Sequence, residues 1–173
     1  VRRTDAPLTR EMLYLLYPRP YLQEVKNAST AFGVNEYVLF GLIRTESYFD
    51  KTIASRVGAT GLAQLMDDTA KDIAKKLKIT EYDLKDAQTN VNFGAYYLNN
   101  LTERLNNSII MALFAYNGGI TRVRRWQRAS ENLPIDLFLE TIPFNETRDY
   151  GRKVLSATSL YGYLYYNKTV RQV

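Results

Sequence analysis

The sequence predicts a mostly α fold, a single helical domain, and three observations carry that expectation. From Tyr21 onward, apolar residues recur at three- and four-residue spacings, as they do in helices with one buried face. Start and stop residues punctuate the periodicity: Gly33, Asn35, Asp67, Ser108 and the pair Gly118-Gly119. No stretch reads as a convincing strand ladder, and no internal repeat or low-complexity tract intervenes. With 173 residues, 46% of them apolar, the chain can bury one sizeable core but not two.

Residues 1–20 read as a lead-in with one short helix, in which Pro7, Pro18 and Pro20 flank the apolar patch Met12 to Leu16. Residues 21–173 read as the domain itself. A helix over 21–32 stops at Gly33. Asn35 caps the next, which runs through 37–47 (YVLFGLIRTES). Residues 48–66 are small, glycine-containing and weakly periodic, a long loop or small β-ribbon; loops of that length in compact domains are more often functional than neutral. Asp67, Asp68 and Thr69 open a helix to residue 77, with Lys75, Lys76 and Lys78 at its end, as the helix dipole favours. Thr80 and Asp83 mark a capped turn, and a helix follows over 90–105. Ser108 caps a helix over 109–116 that stops at Asn117-Gly118-Gly119. A short helix holds Val123 and Trp126, Pro134 and Pro143 bracket 135–142, and a long helix over 146–166 closes the chain.

Composition excludes more than it selects. Twenty-three basic against 18 acidic residues leave +5, which suits cell-wall material, nucleic acid or an acidic membrane surface equally. Histidine and cysteine are absent, so Ser-His-Asp and Cys-His catalysis and zinc sites built on those residues are impossible. Catalysis must then come from Asp, Glu, Lys, Tyr or the backbone. Lack of cysteine removes disulfides and leaves the compartment open. No apolar run is long enough to span a bilayer. The opening residues (VRRTDAP) lack an initiator Met and a hydrophobic signal core, so a processed or excised piece of a longer chain is expected.

Glu46 ends an apolar helical run. Val38, Leu42 and Ile43 stand four and three residues back along one face, so Glu46 extends that face. Desolvation raises a carboxyl pKa, which holds a general acid ready near neutral pH. The plain alternative is a helix-end glutamate whose head group reaches water.

Three further segments line up behind Glu46-Ser47: 55–66 (SRVGATGLAQLM), 115–117 (AYN) and 142–150 (IPFNETRDY). In this order and spacing they resemble the catalytic domain of the soluble lytic transglycosylases of bacteria, lysozyme-like enzymes that cleave the glycan strands of peptidoglycan. The likeness runs over about residues 17–166. It implies a lysozyme-like helical domain in which Glu46 is the catalytic acid/base and Ser55, Gln64, Met66, Tyr116, Asn117 and Glu146 contact sugar. Each also has an ordinary reading. Gln64 could be a solvated loop residue, Met66 core filling, Tyr116 a core aromatic, Asn117 a helix cap and Glu146 a first-turn acid. The chain departs from the family pattern at Ala63, where Met is usual, at Asp67, where Pro is usual, and at Gly118-Gly119-Ile120 in place of Ala-Gly-Pro. It keeps Arg122, Val123 and Trp126.

Many glycosidases use two carboxylates about 5 to 10 Å apart. Here Asp50 lies too near Glu46 in sequence to face it, and the resemblance gives Glu146 a binding role. It thus implies a lone acid that turns base, with the acetamido group of N-acetylmuramic acid (MurNAc) at the anomeric carbon and a 1,6-anhydro product. Tyr116 is expected to hydrogen-bond near that acetamido group or Glu46, and the fourteen tyrosines to offer faces to sugar. No metal or cofactor is implied. Peptidoglycan strands are the expected partner, nucleic acid is not, and a monomer at most peripheral to the membrane is expected in the periplasm or cell envelope. A hydrolytic muramidase and a catalytically silent glycan-binding module stay open beside this reading.

Overall fold

Helices form where the sequence sets an apolar stripe between a cap and a stop. The computed structural model describes residues 9–130 and 133–169. Among the described residues the order is α1 (Arg10–Leu16), α2 (Leu22–Phe32), α3 (Glu36–Ser47), α4 (Asp67–Leu77), α5 (Ala87–Arg104), α6 (Ile109–Gly118), α7 (Ile120–Ala129), α8 (Ile135–Glu140) and α9 (Asn145–Tyr166). The mostly α expectation holds. Of the lead-in expected over 1–20, residues 1–8, Pro7 included, lie outside the described residues. So do 131–132 and 170–173 of the domain expected over 21–173.

Local chemistry explains most boundaries. Gly33 ends α2 in the left-handed region at φ 68°, and Ser108 accepts the Met111 amide to cap α6. Two details differ from expectation. The helix expected from residue 90 begins at Ala87, because the Asp86 carboxylate accepts the Thr89 amide at 2.8 Å and opens it a turn earlier. Asn35 holds the N-cap position of α3 without a side-chain cap bond. Residues 48–66 form a loop rather than a ribbon: isolated antiparallel bridges join Ala54 to Thr60 and Thr60 to Leu65, and no strand forms among the described residues. Asp83 makes the expected turn by accepting the Lys85 amide.

The core sits around α3, whose residues 37–43 are all buried. Each such aliphatic or aromatic side chain contributes roughly 1.5–3 kcal/mol relative to exposure. α9 packs along α3, and α5 packs against α2 and α6. Gly41 makes the α3–α9 approach possible: a Cβ there would stand 2.2 Å from Thr158 Oγ1 and 2.8 Å from its backbone nitrogen. A smaller cluster, Ala63, Leu65, Ala70, Ile73, Ala74 and Phe93, lies beneath the long loop.

Several tyrosines fasten the ends of the chain. Tyr161 and Tyr165 of α9 donate to the carbonyls of Pro18 and Tyr17, at 2.7 and 2.8 Å, and Tyr166 donates to Glu36. The Tyr161 and Tyr165 hydroxyls staple the lead-in to the last helix and that of Tyr166 ties the same helix to α3, a different use from the sugar-facing surface expected of the tyrosines.

Candidate active site

Glu46 lies in the last turn of α3, one turn beyond the buried Leu42 and Ile43. The helix stops just after it, where Tyr48 adopts the left-handed region and its amide bonds back to the Arg44 carbonyl. Glu46 itself is half-buried. Burial pushes its carboxyl up from 4.5 to about 7, against the smaller downward pull of a hydrogen bond from Tyr150. That bond runs from the Tyr150 hydroxyl to Glu46 Oε1 at 2.6 Å. Among the described residues no second carboxylate perturbs this group.

Two tyrosines share its surroundings. Burial, with the Glu46 charge adding to it, holds the Tyr116 and Tyr150 hydroxyls well above their ordinary pKa, so both stay protonated donors at neutral pH. Of the two partners expected for Tyr116, the MurNAc acetamido group or Glu46, it does not bond Glu46. Its hydroxyl donates to the Ala63 carbonyl at 2.8 Å, because the ring lies in the body of the fold beside Tyr97 and above Gly94. Tyr116 thereby ties α6 to the long loop.

The other expected site residues divide into two groups. Asn117, in the last turn of α6, accepts a hydrogen bond from Thr147 of α9 at 2.9 Å, and Glu146 is the exposed neighbour of Thr147 in the first turn of α9. Asn117 is inside the helix and is not its cap; Gly119 holds that place. Ser55, Gln64 and Met66 lie on the loop. Ser55 closes a turn, its Oγ accepting the Ala59 amide at 3.0 Å. Gln64 has a left-handed backbone, φ 46°, and its amide group donates to the Gly61 and Ile53 carbonyls. Both acceptors are carbonyls, so the nitrogen must face them, and Oε1 has no hydrogen-bond partner among the described residues. Met66 is 43% exposed at the N-cap position of α4, which rules out core filling. Among the described residues the Ser55 side chain bonds Ala59 and the Glu46 side chain bonds Tyr150, so the two are not joined by a hydrogen bond.

The departures also find places. Ala63 is buried in the small cluster, its Cβ against Gly94 of α5, so its side chain faces the core beneath the loop. Asp67 starts α4 and pairs with Lys71 at 2.6 Å on the surface. Asp50 is exposed and accepts from the amide and hydroxyl of Thr52, which draws its carboxyl below the usual range. Among the described residues no three Asp or Glu side chains converge to hold a metal ion, and no helix is long and apolar enough to cross a membrane.

Sequence reasoning gave Tyr150 no role, although it stands in the quoted 142–150 segment. The signal was available: Thr147, Tyr150 and Val154 share one buried face of α9.

A helical domain with a solitary neutral-range carboxyl at the end of a buried helix defines a lysozyme-like class. The chain belongs to the Transglycosylase SLT domain family, whose model matches residues 23–139. It is 33% identical over 152 residues to the soluble lytic murein transglycosylase of Escherichia coli K12, covering 85% of this chain and 24% of that protein. With a putative soluble lytic murein transglycosylase of Haemophilus influenzae it shares 32% over 167 residues, or 94% of this chain and 28% of the relative. Among solved structures, it superposes at TM-score 0.83 and 35% identity on an inactive glutamate-to-glutamine mutant of lytic transglycosylase Slt from Pseudomonas aeruginosa, covering 87% of this chain and 25% of that one. A complex of the 70-kDa soluble lytic transglycosylase with bulgecin A gives TM-score 0.87 at 30% identity, covering 94% and 27%. The chain thus spans about a quarter of the length of these relatives.

Proposed function

We propose that this chain is a peptidoglycan lytic transglycosylase domain that cleaves the MurNAc-β-1,4-GlcNAc bond (GlcNAc, N-acetylglucosamine) and leaves a 1,6-anhydroMurNAc end, with Glu46 as its single acid/base. The observation that carries the reading is the Glu46 carboxyl raised to about 7 by burial and fixed at 2.6 Å by Tyr150, with no second carboxylate acting on it among the described residues. Inactivity of a glutamate-to-glutamine variant in the Pseudomonas aeruginosa relative supports an essential glutamate.

At neutral pH and below, a large share of Glu46 is protonated and able to donate. It gives its proton to the glycosidic oxygen, and the bond from that oxygen to the MurNAc anomeric carbon breaks. The carbonyl oxygen of the MurNAc acetamido group bonds to the anomeric carbon and takes the place of a carboxylate nucleophile. Glu46, now ionised, removes the proton of the C6 hydroxyl. The C6 oxygen then attacks the anomeric carbon, the acetamido oxygen leaves, and the anhydro ring closes. Atoms balance without water, and Glu46 ends protonated. Tyr150 steadies the ionised intermediate form with its hydrogen bond.

Ser55, Gln64, Met66, Tyr116, Asn117 and Glu146 are the proposed substrate contacts. The Thr147–Asn117 bond, which holds the ends of α6 and α9 together, supports a shared role for Asn117 and Glu146. A peptidoglycan substrate supports a site of action in the periplasm or cell envelope, and the proposed acting form is a monomer. Mass spectrometry of muropeptides released from purified sacculi tests the reaction. Ends lighter by one water support it, and reducing ends would assign a hydrolytic muramidase instead.

A further inference from the structure

The loop that bears Ser55, Gln64 and Met66 has two isolated bridges for regular structure, so something else must fix its shape. We infer that Asn90 is a positioning residue for substrate binding, acting through Gln64. The inference rests on the proposed role of Gln64 and adds what makes that role possible.

Asn90 lies on α5 and is buried, 1% exposed, among apolar neighbours of the same helix face. Its whole side-chain amide is used. Oδ1 accepts the Ala63 amide at 2.7 Å, and Nδ2 donates to the carbonyls of Thr60 at 3.0 Å and Leu84 at 2.9 Å. One side chain therefore grips the loop just before the Gly61–Gln64 turn, at Thr60, and within it, at Ala63, and binds both to the segment before α5. Gly61 is shaped to this grip: a Cβ there would stand 2.3 Å from Asn90 Nδ2. On its far side, the Ala63 carbonyl is held by Tyr116. The residue after this doubly held alanine is Gln64, in a left-handed conformation that a non-glycine residue adopts only when its surroundings over-determine it. Serine lacks the reach, and aspartate offers acceptors where Thr60 and Leu84 need donors; the amide satisfies all three partners at once. The loop is thus set by a buried polar group at a fixed point of a rigid helix.

A double-mutant cycle separates positioning from general support of the fold. The single variants N90A and Q64A and the double variant are assayed as kcat/KM for solubilisation of sacculi, well below the melting temperature of each. V91A, on the same helix and buried, serves as the stability control. N90A is expected to lower kcat/KM about tenfold, mainly through KM, and V91A less than about twofold. In the Q64A background N90A is expected to cost less than about twofold, since the contact it positions is already gone. Should N90A not fold at the assay temperature, N90S enters the same cycle with the same expectation. Equal losses in both backgrounds, or a V91A loss as large as that of N90A, overturn the inference. Solubilisation is read whatever the end product, so an outcome favouring hydrolysis would sink the lyase chemistry while leaving this cycle intact.

Discussion

Along the α3–α9 seam, position is set by apolar packing; in the 48–66 loop it is set by a few hydrogen bonds. The seam holds Glu46 with Tyr150 across from it, and its neighbours are fully buried side chains and a glycine pressed against Thr158. The loop carries three of the proposed sugar contacts, Ser55, Gln64 and Met66, on a backbone fixed by Asn90, Tyr116 and its own turns. Packing of the first kind resists small losses and fails on insertion of bulk. The second kind has room at its exposed positions and depends on single amides. An acid that must keep a raised pKa needs the dry seam, and a surface that must meet sugar hydroxyls needs the polar loop.

The largest effect should come from breaking the seam. Gly41→Val puts atoms inside the Thr158 backbone contact, and overpacking of this kind costs about 1–3 kcal/mol or more. A melting curve should show Tm lowered by roughly 5 °C or more, with lysis of sacculi lost as Glu46 shifts from Tyr150.

Titration of Glu46 gives the next effect. Its folded pKa is raised, so the stability it brings is fully present below about 4.5 and is lost as pH rises through about 7. Glu46→Gln does not titrate. Relative to the parent, it should gain up to about 3 kcal/mol of stability between those pH values, read by urea unfolding at pH 4 and pH 8. A constant difference across that range would remove the raised pKa from the account.

Tyr150→Phe tests the seam more gently. Removing the hydrogen bond takes away the influence that lowers the Glu46 pKa, so the alkaline limb of the pH–rate profile should move upward. Activity at pH 8 should then fall less than activity at pH 6, the total loss being about tenfold. The smallest effect belongs to the loop's far end. Asp67→Pro removes an exposed ion pair with Lys71 and supplies a residue suited to the first helical position. Tm and turnover should stay within about 1 °C and twofold of the parent.

Much of the seam was legible in the sequence, because burial leaves a periodic trace. The apolar run before Glu46 follows from local chemistry, as do, outside the seam, the stop at Gly33 and the Ser108 cap. The loop was less legible. Its length and glycine content marked it, but isolated bridges leave no alternating pattern, so loop and ribbon could not be told apart. The helix expected from residue 90 starts a turn earlier, because Asp86 is the actual cap, and Asn90 is inside it. The Tyr116 hydroxyl went to Ala63 because its partner depends on a backbone carbonyl 53 residues away, which no local pattern encodes. Tyr150 had a helical-face signal and lacked only a partner in view. The two tyrosines that staple the lead-in, Tyr161 and Tyr165, gave no sign of it, since a hydroxyl for the backbone and one for sugar look alike in sequence.

The central claim is that one buried carboxyl at the end of α3 does both proton transfers. Its most direct test is digestion of purified sacculi by the parent chain and by Glu46→Gln, folding of the variant checked by circular dichroism, with released muropeptides weighed. The account predicts anhydro ends, one water lighter, from the parent and no release from the folded variant. Continued release by Glu46→Gln, or reducing ends from the parent, would contradict it.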